Sequence, residues 1–312
     1  MTLKLAQAAA AFWPFETKSL ALAAHRENAV YRWDTLSGVY ALRLHRPGYR
    51  SDNELRSEIE VMRALADTGC LVPAPVASTS GQNLVQIDGI QVTVLTWLNG
   101  VPLGETGRPF AHVNRSGIFF AMGEAMAKMH NALDRWTPPQ NFQRVQWNTE
   151  GLLGDEPHWG PFWDNPELSS TEKKLVLDVR QHLKRRLENK VWDYGYIHAD
   201  LVSENLLVNG NDIHIIDFDD SGFGFRLHDI ATALVKHHAE PDHDQLRAAL
   251  IAGYRTLRPL DVEHIDMFLL IRKLSYLGWI MPRMDDAAGK TRAARFLREA
   301  ISAAQAYVVA VN

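Results

Sequence analysis

The chain has 312 residues, enough to bury the cores of two lobes, and its 46% hydrophobic and 22% charged content is that of a globular protein in water. A net charge of −4 argues against a nucleic-acid partner, and the single cysteine, Cys70, excludes an internal disulfide and fits a reducing compartment. No apolar run approaches the ~20 residues needed to cross a bilayer, so the expectation is a cytoplasmic protein with no membrane association and no inferred protein partner.

Residues 1–14 superficially resemble a secretion signal. Gln7 interrupts the apolar stretch, and Phe12 and Trp13 stand where a small-residue cleavage site would lie, so a short helix packed on the first lobe is expected. Residues 17–26 are expected to be helical, with Leu20, Leu22 and Ala23 facing inward. The apolar, β-prone runs 29–33 and 39–44, joined by 34–38, predict a hairpin. A helix follows over 52–66, with Ser51 or Asp52 as N-cap and Leu55, Ile59, Met62 and Leu65 at helical spacing. Pro73 and Pro75 close that stretch and lead into 76–77, and strands follow at 84–87 and 90–97, joined through Asp88 and Gly89. One antiparallel sheet of about five strands with one inserted helix thus covers 27–97. From there the pattern is helical: 112–134, 171–190, 228–238, 243–257, 261–280 and 286–309. Residues 1–97 form the first lobe and 98–312 the second. Between helices, 136–168 holds Trp136, Trp147, Trp159 and Trp163 with little periodicity, as a functional or packed loop does. Cys70, flanked by Gly69 and Leu71, reads as a buried, inert thiol.

The chemistry concentrates between 196 and 220. His198, Asp200 and Asn205 are followed by two short apolar runs, 206–208 and 213–216, flanking an Asn-Gly turn, and then by Asp217. Folding that hairpin brings Asn205 close to Asp217. Two carboxylates and an amide oxygen at one mouth suit Mg²⁺, which takes hard oxygen ligands and completes its shell with water and phosphate. Taken singly, Asp200 reads as a turn cap and Asn205 as an Asx-turn; jointly, with the hairpin and Asp217, they favour the functional reading.

These motifs resemble the catalytic and metal-binding loops of protein-kinase-like enzymes, and most of all the aminoglycoside phosphotransferase and choline/homoserine kinase branch. The likeness extends to 40–47, Glu58, 72–75, 123–130 and 225–231, and spans about 25–280. It implies an α+β, bilobal fold, with an N-terminal antiparallel sheet carrying one main helix and a larger, mostly helical second lobe. It implies ATP and Mg²⁺, with Asp200 as catalytic base and Asn205 and Asp217 on the metal. Arg43 stands where protein kinases carry a phosphate-binding Lys, with Glu58 as its partner; a bidentate Arg preserves the role in altered geometry. The turn 24–29 covers the phosphates in such enzymes but has no glycine here, and Asn28 is either a phosphate contact or a plain turn residue. Adenine would lie near Thr96, Trp97 and Leu98, which core packing explains nearly as well. His198 is expected to pack and hold the loop by a hydrogen bond. Asp219 and Asp220 read either as extra ligand contacts or as solvated turn carboxylates.

The expected function is ATP- and Mg²⁺-dependent phosphotransfer to the hydroxyl of a small-molecule acceptor. An amino alcohol or amino-acid-like compound such as homoserine, choline or hydroxylysine is favoured over an aminoglycoside. Segment 147–163, Trp279 and Arg283 could wall its pocket, with aromatic faces for an ammonium and an Arg for a carboxylate, although core packing better explains any single Trp. A stress-response-type Ser/Thr protein kinase is one alternative, and a nucleotide-binding pseudokinase another. The short stretch between Asp217 and Asp229 leaves little room for peptide docking.

Overall fold

A computed structural model describes residues 2–25, 27–104, 111–285 and 287–311. Arg26, in the turn expected over the phosphates, and Asp286, at the start of the last expected helix, lie outside the described residues. Helix α1 (Leu3–Ala10) starts at Thr2, whose hydroxyl accepts from the Leu5 amide. As expected it packs on the first lobe, where Ala6, Ala9 and Ala10 join Trp13, Tyr31, Trp33, Leu42 and Leu44 in one apolar core.

Strands β1 (Thr17–His25), β2 (Ala29–Thr35) and β3 (Val39–Leu44) are followed by helix α2 (Asp52–Asp67), then β4 (Val85–Ile87) and β5 (Ile90–Thr96). They form a five-stranded antiparallel sheet in the order β1-β2-β3-β5-β4. Its membership corrects the expectation at one place. The segment 17–25 is an edge strand and not a helix. Its Leu and Ala residues are good helix formers, but pairing along the whole of β2 outweighs that weak local preference. Leu22 is 54% exposed, so no inward helical face exists there. Residues 76–77, in contrast, form no strand. The Val76 amide reaches the Val94 carbonyl and Pro75 makes one bridge to Leu95, but Pro73 and Pro75 have no N–H with which to extend a ladder.

Ser51 caps α2 in a reciprocal capping box with Glu54. This helix belongs to both halves of the molecule. Leu55 and Ile59 cluster with Leu84 beneath the sheet, while Val61, Met62 and Leu65 enter the large core of the helical half, next to the buried Cys70.

The remainder comprises β6 (Val101–Pro102), α3 (Arg115–Arg135), β7 (Gln146–Trp147), α4 (Thr149–Leu153), α5 (Ser170–Glu188), β8 (Tyr194–Ile197), β9 (Leu206–Asn209), β10 (Asp212–Ile215), β11 (Gly222–Phe225), α6 (Arg226–Val235), α7 (His243–Arg255), α8 (Ile265–Ile280) and α9 (Ala287–Val311). The β9–β10 hairpin forms as expected, but its two central residues are Gly210 and Asn211, because Asn209 pairs with Asp212. Gly210 takes the left-handed conformation, φ 63°, that the turn needs. Segment 136–168, expected as a loop, contains β7 and α4 and is packed, with Trp147, Leu152, Leu153 and Phe162 buried. Among the described residues, no helix is long and apolar enough to cross a membrane.

Two glycines set the crossing of α3 and α7. A Cβ on Gly123 of α3 would lie 2.1 Å from the Leu250 carbonyl, and one on Gly253 of α7 would lie 1.9 Å from that of Phe120. The helices therefore meet backbone to backbone, which lets Tyr254 reach His130. Gly253→Ala forces them apart and is expected to lower stability by about 1–3 kcal/mol. Urea unfolding checks this, and an unchanged midpoint would contradict it.

Candidate active site

Strand β8 delivers His198 and Ala199 to a buried carboxylate on α6. Ala199 has φ 67°, a strained value for a side-chain-bearing residue, and the twist turns two successive amides the same way. The His198 amide donates to Asp229 Oδ2 (2.8 Å) and the Ala199 amide to Oδ1 (2.7 Å). His130 of α3 adds a third bond to Oδ2, from Nε2 at 3.1 Å, while its Nδ1 accepts from the Tyr254 hydroxyl at 2.8 Å. Burial would raise the Asp229 pKa, but the bonds from His130 and the His198 amide outweigh it and hold the group ionised. The His198 ring spans two loops. Its Nε2 donates to the Ile216 carbonyl (3.0 Å), and its Nδ1 faces the Asp200 amide at 3.3 Å.

Asp200 follows on this fixed frame. Its Oδ1 accepts from Arg272 of α8 at 2.6 Å and its Oδ2 from Asn205 Nδ2 at 2.9 Å. A carboxylate only accepts, so the amide nitrogen of Asn205 must face it, and the amide oxygen is turned away. The Asn205 carbonyl meanwhile accepts from the Ile216 amide (2.9 Å), which sets Asn205 beside Asp217. The hairpin thus gathers Asp200, Asn205 and Asp217 at one mouth.

Asp217 is itself in the left-handed region, φ 66° and ψ 71°. On its far side, Arg43 of β3 is buried with Glu58 of α2 at 2.5 Å, and its other amino group lies 3.6 Å from Asp217 and 3.5 Å from Asp219. Burial disfavours the charge on Arg43, but Glu58, Asp219 and Asp217 outweigh that and raise its pKa. Burial pushes Asp217 up to about 6, Arg43 opposes this, and Asp219, Glu58 and Asp200 add to it. Half of the Asp217 side chain is open to solvent, so the crowding of like charges is the stronger physical cause. Asp220 rises to about 7 through burial and through Asp200 and Asp219.

Asp219 and Asp220 are not simply solvated. Arg50 bonds the Asp219 carbonyl and Asp220 Oδ1, both at 3.0 Å, and Arg144 donates to the carbonyls of Phe218, Asp219 and Ser221 at 2.9, 2.5 and 2.8 Å. Trp147 caps the Asp220 carbonyl at 2.7 Å. The loop is therefore held by its backbone, with the Asp219 carboxylate beside Arg43 and Arg50 and that of Asp220 bonded to Arg50.

The described contacts of Asn28, Thr96 and Trp97 are with the sheet. Asn28 Oδ1 accepts from the Arg46 amide, Thr96 bonds Ala74, and Trp97 donates to the Val39 carbonyl and lies beneath Arg32. Leu98 follows, half-buried. The aromatic residues of the expected acceptor wall have partners within the protein. Trp147 is a core residue, and one face each of Trp159 and Trp279 is covered by Arg272 (4.0 Å) and Arg283 (4.2 Å). Arg283 already holds a carboxylate, that of Glu27 on the β1–β2 turn. Sequence reasoning missed Arg272, Arg50 and Arg144. The first had a signal, a basic pair inside the apolar run of α8; Arg144, in an irregular stretch, had none.

The sheet with its Arg–Glu clamp, the hairpin and the carboxylates define a phosphotransferase with the protein-kinase-like fold. Residues 20–262 match the phosphotransferase enzyme family, and the chain belongs to it. It is 26% identical to the homoserine kinase of Methylobacterium radiotolerans over 83% of this chain and 78% of that one. A solved microcompartment-associated aminopropanol kinase superposes with a TM-score of 0.85 at 29% identity, covering 99% of this chain and 98% of that one. An amicoumacin kinase in complex with AMP-PNP, Ca²⁺ and Ami gives 0.78 at 22% identity, covering 96% and 92%. The protein is a kinase acting on a hydroxyl group of a small molecule.

Burial keeps His45, His130, His198 and His228 neutral; burial and Arg226 push His130 down to about 4, and burial and Arg272 push His228 to about 3. In the unfolded chain each takes a proton near 6.5. Their contribution to stability is thus complete above about pH 6.5 and is lost as pH falls towards 4, on the order of 3 kcal/mol for His130 alone. Urea midpoints measured from about pH 7 down to 4.5 are expected to fall steadily; a flat profile would contradict this.

Proposed function

We propose that the enzyme transfers the terminal phosphoryl group of ATP, with Mg²⁺, to the hydroxyl of an amino alcohol or hydroxy amino acid. The observation that carries this is the convergence of Asp200, Asn205 and Asp217 opposite the buried Arg43–Glu58 pair. The nucleotide is the one whose analogue the amicoumacin kinase holds, and the acceptor class is that named for the homoserine and aminopropanol kinases.

In this reading 1–97 is the nucleotide lobe and 98–312 the catalytic and acceptor lobe, with adenine against Thr96, Trp97 and Leu98 where the chain crosses between them. Arg43 grips phosphate oxygens, Glu58 fixes its direction, and the Asn28 amide nitrogen faces the phosphates from the turn. Crowded carboxylates with hard oxygens and too few positive charges suit a divalent cation, so the Asn205 amide oxygen and Asp217 would hold Mg²⁺, which neutralises phosphate charge when bound. Asp200 orients the acceptor hydroxyl and takes its proton as the new O–P bond forms and the bond to the leaving ADP oxygen breaks.

The stretch from Asp217 to Asp229 is consumed by a 3-10 turn at Phe218–Asp220, by β11 and by the first turn of α6, which leaves no segment for docking a protein substrate. Asp200→Ala is expected to cut acceptor phosphorylation by about 10²-fold or more while nucleotide affinity is kept. ATP consumption measured across amino alcohols, hydroxy amino acids, aminoglycosides and a generic protein substrate checks both points. Wild-type turnover by that variant, or turnover only with protein, overturns the reading. Asp217→Ala is expected to abolish the response of turnover to added Mg²⁺, checked by metal titration of the rate.

A further inference from the structure

Arg272 is fully buried in α8, where a guanidinium is costly unless its partners hold it. Its partners are the catalytic loop. Nη2 donates to Asp200 Oδ1 at 2.6 Å and Nη1 to the Ala199 carbonyl at 3.2 Å. One planar group thus grips both the carboxylate and the peptide before it, at the residue whose φ is 67°. Behind it, Trp159 lies flat at 4.0 Å and Tyr276 at 4.9 Å. Trp159 is fixed in turn. A Cβ on Gly278 would come within 2.4 Å of the Trp159 carbonyl and 2.5 Å of that of Gly160, so this loop rests directly on the backbone of α8. Trp159 also stacks on Tyr276 and meets Trp147 edge-on.

We propose that Arg272, backed by Trp159, is the positioning residue of Asp200. It commits Oδ1 and the preceding peptide to one geometry, so that the remaining lone pairs of the carboxylate face the acceptor hydroxyl. Asn205 holds Oδ2 from the other side, and the two donors together define the plane of the carboxylate. Lysine in its place would keep a charge but not the two-point grip, because an ammonium is a point donor on a flexible stem. The inference rests on the reading of Asp200 as the base.

The test is a cycle of Arg272→Met and Asp200→Asn, with Arg272→Lys and Trp159→Leu as milder variants, each assayed for kcat, for the KM of ATP and for thermal midpoint. Arg272→Met is expected to lower kcat by about 10²-fold with the KM of ATP within about twofold, Arg272→Lys to recover only part of that, and Trp159→Leu to lose about 3- to 10-fold. In the Asp200→Asn background, Arg272→Met is expected to cost less than about twofold more. Independent, multiplying losses in the double variant overturn the inference, as does full kcat in Arg272→Lys. If Arg272→Met does not fold, the kcat of Arg272→Lys decides: a wild-type value overturns the inference, and a loss of kcat without a change in KM supports it. Wild-type activity of Asp200→Asn would instead overturn the reading beneath it, whereas an inactive Asp200→Asn with a fully active Arg272→Met overturns the positioning role alone.

Discussion

The Asp229 carboxylate is the interaction on which the site depends. It is wholly buried, it is ionised, and all three of its described hydrogen bonds come from groups that could not be satisfied elsewhere. Two are backbone amides turned inward by the left-handed twist at Ala199. Without the carboxylate both amides would be orphaned in the core, at a cost of about 1–3 kcal/mol each, and the twist would have nothing to hold it. The third bond leads through His130 to Tyr254, so α3, α6 and α7 are all referenced to the same two oxygens. The strain that aims Asp200 is thereby carried by the hydrophobic helices around it.

A second principle governs the acidic loop. Asp217 is raised by Asp219, Glu58 and Asp200, and Asp220 by Asp200, Asp219 and Asp217, and such a cluster of five carboxylates would splay if left to itself. Arg144, Arg50 and Trp147 restrain it through its carbonyls. The backbone is pinned, Glu58, Asp219 and Asp220 are shared with Arg43 and Arg50, and Asp217 is the carboxylate left half open to solvent.

Much of this was legible in the sequence because it is local. The spacing of His198, Asp200 and Asn205 before a Gly-containing hairpin, and of Asp217 after it, is a property of one short stretch. Capping by Ser51 and the helical periods of α3, α5 and α9 are equally local. What was hidden depends on distant partners. The segment 17–25 carries helix-forming residues and becomes a strand only because β2 pairs along it. Arg144 reads as an ordinary loop arginine until the 218–221 carbonyls come to meet it. Arg272 looked like one charge among apolar neighbours, and its meaning lies in Asp200, which is remote in sequence. The partners of the aromatic residues were hidden in the same way: one flat face each of Trp159 and Trp279 is covered by a guanidinium of the protein itself.

The packing of α2 has a mechanical consequence. Arg43 is flanked by Leu42 and Leu44, which belong to the sheet core, whereas Glu58 sits on a helix whose Val61, Met62 and Leu65 are part of the helical core. Their ion pair straddles the seam between two separately packed interiors. Any sliding of one interior over the other must stretch a buried charge pair, so the alignment of the two halves is registered electrically at the point where phosphate is to be held.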